Sequence, residues 1–341
     1  MADALSSGAR PGWRRASRTG SPALWRRLVV RRLALGLLTL WLVSLVVFAA
    51  VLALPGDAAT AILGKEATPD RVAALRAQLH LGDPVVSQYL HWLGGIVTGH
   101  LGISAASQEP VGALLADRGR NSAFLVLVSA AVAVPLSLAI GVWTAVRRDR
   151  PVDHVVSTVT LALAAIPEFV IGIALILVFA TSLLTVLPAV SLLVPGVPAW
   201  RTPSAVVLPA ATLVLSVTPY ISRIMRGSMV EVLASEYVAM ARLKGLAERR
   251  VIWRHAVPNA IVPAIQVTAL QLAWMAGGVV VVEFVFQYQG IGALLINAVA
   301  NRDMPVVQAV TMLTAAIYVG LNVLADISTI LVTPKLRTAT R

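Results

Sequence analysis

Hydrophobic positions along this chain gather into long uncharged runs rather than into narrow amphipathic stripes. Leu33–Leu54 is 22 residues without a charge, and Ser122–Val146 is a second such run. About 20 apolar residues suffice to cross a bilayer as a helix. Six spans follow: Leu33–Leu54, Ser122–Val146, Ile166–Leu187, Ser204–Ser222, Asn259–Val282 and Pro305–Val332. Pro135 lies inside the second and predicts a kink. Pro151–Leu187 is too long for one straight helix in a core of about 30 Å and too short for two spans with a loop. Pro167 therefore breaks it, leaving a helical segment before the break near one membrane face. Residues 188–203, with four prolines, read as a loop. A Gly-containing loop joins the last two spans. The basic start followed by an apolar run also fits a secretion signal, but a signal's apolar region is only about 7–15 residues. The run is read as a retained span.

The chain is 58% hydrophobic and 13% charged. Soluble domains run at roughly 45–50% and about 25%, so an all-α membrane protein is predicted. A net charge of +12 would suggest nucleic acid in a soluble chain. Its distribution points elsewhere. Eight basic residues fall in 1–32, three in 147–150, seven in 223–254 and three in 335–341. The alternate loops hold five in 55–121 plus Arg201 and Arg302. This bias places both termini in the cytoplasm. The resulting organisation is a basic tail (1–32), a first span (33–54), an extracytoplasmic loop (55–121, helical over Asp70–His80), a five-span core (122–332) and a cytoplasmic tail (333–341). The core includes a cytoplasmic segment, 231–258.

Zero cysteines remove disulfides, thiolate metal sites and cysteine nucleophiles. No G-x-x-x-x-G-K-[ST] loop occurs, so the chain is not expected to hydrolyse ATP itself. No His/Cys/carboxylate set has metal-ligand spacing. An intramembrane enzyme would need a nucleophile–base pair within the spans, yet the five histidines (80, 91, 100, 154, 255) lie in loops or at span edges. A secondary transporter would need inverted repeats, and none is evident.

The most informative stretch is Glu231–Pro263, EVLASEYVAMARLKGLAERRVIWRHAVPNAIVP. Its first half, Glu231–Lys244, places Leu233, Tyr237, Met240 and Ala241 on one side of a helix. Gly245 just past Lys244 fits a helix C-terminus. A second short helix, Ala247–His255, runs to Pro258, although Ala247 lacks a capping side chain and Glu248 only partly compensates. Two short helices with a glycine elbow make a compact knob with apolar and basic surface, suited to docking.

The run Tyr237-Val238-Ala239-Met240-Ala241-Arg242-Leu243-Lys244-Gly245-Leu246 resembles the YV-x-x-AR-x-KG-L pattern of binding-protein-dependent ABC importer permeases, in the dipeptide/oligopeptide/nickel branch. Counted from Gly245, Ala241 and Pro258 occupy the superfamily's Ala and final Pro slots, His255 the Ile slot, and Ala239 the Glu slot. The resemblance extends over nearly the whole chain after residue 33. It takes in Pro55-Gly56-Asp57, Leu81-Gly82-Asp83-Pro84 with Gln88-Tyr89 and Trp92-Leu93, and Gly99-His100-Leu101-Gly102-Ile103-Ser104, where His100 replaces a usual Asp. It continues through Ile166-Pro167-Glu168-Phe169 (a P-x-F element), Leu208-Pro209-Ala210, Arg223-x-x-Arg226, Glu283-x-x-Phe286 with Gly290-x-Gly292, Arg302-Asp303-x-Pro305 and Asp326. Thr333-Pro334-Lys335 stands where D-P-R is usual.

The resemblance implies a type I ABC importer permease fold and a B-type subunit of a permease pair, in a bacterial or archaeal plasma (inner) membrane. It implies a homologous C-type permease, two ABC ATPases or a fused pair, and an extracytoplasmic binding protein as partners. No cofactor is expected on this chain, with ATP and Mg on the ATPases. ATPase coupling would fall to Tyr237, Ala241, Arg242, Lys244, Gly245, Leu246, Arg249, Arg250, His255 and Pro258. The branch carries di- and oligopeptides, nickel complexes and other small solutes.

Gln266, Gln271 and Met275 lie along the fifth span before Gly277-Gly278, and Glu283 ends it. The first three read as lining a translocation path or, equally, as helix-packing contacts beside small residues; Glu283 reads as facing the external mouth of that path or as a helix-end charge at the headgroups. Glu168 and Asp326 are ionisable groups in or near apolar runs, with a transport role and a structural hydrogen bond both open.

Overall fold

The computed structural model describes residues 22–53, 68–78, 82–194 and 196–332. The tail before residue 22, Pro55-Gly56-Asp57, His80, Leu81 and Thr333-Pro334-Lys335 lie outside the described residues. In chain order the helices are α1 (Pro22–Ala53), α2 (Pro69–Gln78), α3 (Val85–Thr98), α4 (Val111–Val146), α5 (Pro151–Ala165) and α6 (Glu168–Ser182). They continue with α7 (Ser204–Leu233), α8 (Glu236–Leu243), α9 (Glu248–Val285), α10 (Ile291–Ala300) and α11 (Met304–Val332). Five helices are long and apolar enough to cross a membrane, and α5–α6, bent by 106°, brings the number to six. The predicted six spans thus have counterparts. Among the described residues the only β pairing is one bridge, Ile103 to Pro110.

Several boundaries differ from the sequence reading. The second span begins at Val111 rather than Ser122, as a helix of 36 residues. Nothing in 111–121 interrupts helical bonding, and Pro110 provides the start. Helix α4 continues through Pro135. The fourth span runs past Ser222 to Leu233. The third is shorter than expected: α6 ends at Ser182 in a π turn, where the Val186 and Leu187 N–H groups fold back onto the Phe179 carbonyl. At about 1.5 Å per residue α6 is only about 22 Å long. The predicted break at Pro167 is present, with Ile166 and Pro167 extended at the bend. The 55–121 loop contains α3, and the loop between the last two spans contains α10; neither helix was expected.

Helix α7 forms the centre of the packing. Its Leu208, Leu213, Val217, Ile221, Met225 and Met229 are buried against α4 and α9. Helix α1, by contrast, exposes most of its apolar surface and packs mainly on α11. Arg32 pairs with Asp326 at 2.9 Å across that contact. Ser44 and Tyr89 hydroxyls lie 2.8 Å apart, and Phe48 stacks edge-on to Tyr89, tying α1 to α3. Asp326 therefore has a structural partner on the peripheral helix.

Helix α5 is anchored to α7 through charge. Asp153, 1% exposed, accepts from Arg226 Nε at 2.7 Å and Nη2 at 2.6 Å. A paired, hydrogen-bonded buried carboxylate is tolerable, whereas an unpaired one is costly. Arg226→Ala is expected to destabilise the fold by about 2 kcal/mol, the scale of lost bonds to a charged group. Thermal inactivation of the detergent-solubilised protein measures this, and an unshifted midpoint would contradict it.

Candidate functional site

Residues 234–256 build a knob at one end of the long helices. The predicted continuous helix Glu231–Lys244 is instead split. Helix α7 ends at Leu233, and α8 starts at Glu236 after Ser235 in extended conformation. The Ser235 hydroxyl donates to the Val232 carbonyl at 2.5 Å. Such local side-chain bonds offer the backbone an alternative to continued helix.

The elbow forms as the sequence predicts. Gly245 has φ +77, a left-handed conformation that suits glycine. Its N–H donates to the Arg242 carbonyl at 2.9 Å, and the Leu246 N–H donates to the Ala241 carbonyl at 3.4 Å. This pair of bonds, with Leu246 packed against the buried face of α8, is the Schellman pattern of helix termination.

The sides of α8 differ from the expectation. Val238 and Ala241 are buried with Val251, against Leu233 and Leu246. Tyr237 and Met240, placed with Ala241 on one face by the sequence, are exposed at 45% and 55%, and Leu243 is exposed at 81%. The reason is the neighbour: α9 starts under the 238/241 edge, so the apolar residues divide between an inner and an outer face. Arg242, Lys244, Arg249 and Arg250 are exposed on the same knob. Arg242 bonds Glu248 at 2.7 and 3.1 Å across the elbow. The Arg242 guanidinium holds the Glu248 carboxyl below the ordinary glutamate range.

The second helix does not stop before Pro258. Glu248–Val285 is continuous over 38 residues, with a π turn at Val251–Ala256. Pro258 has no N–H to donate, and the widened turn accommodates it near the start of the regular helix. His255 sits half-buried in that turn, and its carbonyl accepts from Asn259 Nδ2 at 2.7 Å.

At the opposite end, Glu283 is fully buried rather than facing an external mouth or the headgroups. Its carboxyl accepts from Ser122 Oγ and from the Gly292 and Ala293 N–H groups at 2.7 and 3.3 Å. These two N–H groups open α10, so Glu283 caps that helix from another element. Ser122 Oγ also accepts the Ile291 N–H at 2.8 Å. Gly290 is required here, because a Cβ on it would run into the Glu283 carboxyl. Tyr288 adds a bond to the Asn121 carbonyl at 2.8 Å.

A second knot joins two motifs far apart in sequence. Asp303 accepts from Ser104 Oγ, and from the Ala105 and Ala106 N–H groups at 3.0 and 3.3 Å. Sequence reasoning named these motifs but not their pairing.

Of the path residues, Gln266 and Gln271 are half-buried along α9. Met275 is fully buried in the core with Val279 and Val282. Met275 and Glu283 therefore lie in the interior of this chain, the one packed and the other hydrogen-bonded. Glu168 is half-buried against Gly278 of α9.

Residues 137–338 match the family model described as binding-protein-dependent transport system inner membrane component. Residues 25–127 match the model of the N-terminal part of such membrane components. The probable peptide ABC transporter permease protein y4tP of Sinorhizobium fredii is 35% identical over 309 residues, covering 91% of this chain and 98% of that protein. The glutathione transport system permease protein GsiC of Escherichia coli is 36% identical over 310 residues, with 91% and 98% covered. GsiC of Shigella boydii is 35% identical over the same length. With its multi-pass helical body, its glycine-stapled knob and these matches, the chain belongs to the family of binding-protein-dependent transport system inner membrane components, the permease subunits of ABC importers.

Proposed function

We propose that this chain is the B-type permease of an importer that carries di- or oligopeptides, and that the 234–256 knob docks on the ATPase. The observation that carries the docking reading is the outer face of α8. Tyr237, Met240 and Leu243 stand exposed on a helix whose inner face is packed and whose end is stapled. Exposed apolar residues rimmed by charge mark a contact surface. The relatives, one named a peptide permease and the other a glutathione permease, support a peptide-type substrate.

The geometry suits force transmission. Helix α9 carries the second half of the knob and continues to Val285 without a break. A displacement of the knob therefore reaches the far end of the span through one rigid element, about 57 Å long. The Asp153–Arg226 pair joins the same end of α7 to α5, and α5 leads to the bend at Pro167. ATP binding on the partner ATPases would close them, move the knob and reopen the spans toward the binding protein. The coupling is the difference in contacts that the ATPase makes with the knob in the two states.

In this reading the homologous C-type permease, two ATPases with ATP and Mg, and the binding protein complete the complex. It lies in the plasma (inner) membrane with both termini cytoplasmic, and hydrolysis belongs to the ATPases. Co-reconstitution of all components in proteoliposomes tests it. ATP-dependent accumulation of labelled di- or tripeptides is expected. Peptide uptake that persists without ATP would favour a secondary transporter. Nickel or another small solute carried in place of peptide would redirect the substrate assignment within the same family.

A further inference from the structure

Among the described residues, Glu168 is the exception among the acidic groups with buried oxygens. Asp153 is held by Arg226, the Asp149 N–H and Ser157. Glu283 accepts three bonds, and Asp303 is held by Ser104 and two backbone N–H groups. Glu168 Oε2 is buried and has no hydrogen-bond partner. A buried acceptor without a donor calls for an explanation in a native fold.

The surroundings supply one. Glu168 occupies the middle of the P-x-F element, directly after the 106° bend. Its Oε2 lies 3.1 Å from the point where Gly278 would carry a Cβ. The Trp274 ring lies 3.3–3.4 Å from that same point. A carboxyl oxygen and an indole thus converge over a bare backbone on α9, and the adjoining Gly277 position is open. Gln271 lies two turns before Gly278 on the same side of the helix.

Glu168 Oε2 itself is covered, but the side chains next to it in sequence and space are not. Trp274 and Phe169 are 43% and 46% exposed. Gly278 lies seven residues before the end of α9 at Val285, about 10 Å inside the helix end. A carboxylate turned to lipid at such depth is expensive, so this surface faces protein or an aqueous passage. A carboxylate beside an indole suits an organic cation, and the cation common to unblocked peptides is the terminal ammonium. The pair offers a charge-assisted hydrogen bond and a cation–π contact together.

We propose that Glu168 and Trp274 form an ammonium subsite on the passage wall, which takes the free amino group of a peptide during transfer. This rests on the peptide-importer reading above. The passage then favours peptides with a free amino group over the same peptides blocked at that nitrogen.

The test uses the full reconstituted complex and two probes, a tripeptide and its N-acetyl form, with import of each normalised to the amount held by the binding protein. Glu168→Gln is expected to lower the import ratio of free to acetylated peptide about tenfold. Gly278→Ala, whose methyl would occupy the point between the oxygen and the indole, is expected to lower it in the same direction. Glu168→Asp is expected to restore part of the ratio. An unchanged ratio in both Glu168→Gln and Gly278→Ala, whether import of the two probes falls equally or not at all, overturns the subsite. If the native complex hydrolyses ATP and imports neither probe, the peptide reading itself falls, and the subsite with it.

Discussion

Gly245→Pro is expected to reduce substrate-stimulated ATP hydrolysis by the assembled complex to its unstimulated rate, while the chain still inserts in the membrane. The elbow needs φ +77, and proline is locked near −65°. The substitution also removes the N–H that bonds the Arg242 carbonyl. The end of α8 must then unwind or swing, and the outer face of Tyr237, Met240 and Leu243 moves with it. The spans do not depend on this turn, since their backbone bonds are internal to each helix. Gly245→Ala separates strain from geometry. There is open space around the Cβ position, so alanine meets only the backbone cost of about 1–2 kcal/mol and should keep much of the stimulation. Measuring ATPase activity with and without loaded binding protein decides the matter. Full stimulation in the proline variant would remove the knob from the coupling route.

Glu283→Ala is expected to be the most destabilising single change considered, at about 3–6 kcal/mol. It strips acceptors from Ser122 and from the Gly292 and Ala293 N–H groups. Each buried group left unsatisfied costs about 1–3 kcal/mol. The cavity adds to this. Glu283→Gln keeps one carbonyl oxygen for the α10 N–H groups, and Ser122 can turn to accept from the amide, so it should retain a large part of the stability. The yield of monodisperse protein after membrane extraction, and its thermal midpoint, give the order native, Gln, Ala. Equal stability of native and Ala forms would show that the cap does not hold α10.

Much of the site was legible before any coordinates. The elbow was readable because Lys244-Gly245 is a local signal, and so is the break at Pro167. The second half of the knob was misread because Pro258 normally ends a helix; here a π turn absorbs the missing N–H. The face of α8 was misread for another reason. A short helix with apolar residues on several sides does not say which side a neighbour covers, and the choice fell to Val251 on α9.

Membership of the spans, their number and the Asp and Arg residues that bound them are properties of composition, because a bilayer acts on each uncharged run separately. The sequence by itself therefore determined an all-helical, six-span body and a polar knob between two of the spans. What lipid cannot set is how the spans face one another. Long helices that are apolar on all sides have no preferred core side, so tertiary packing alone placed α7 at the centre and α1 at the edge. It alone brought Ser104 to Asp303, 199 residues apart, and Ser122 to Glu283, 161 apart. A buried polar group must find a donor or acceptor wherever the fold brings one. That requirement made Glu283 the cap of α10.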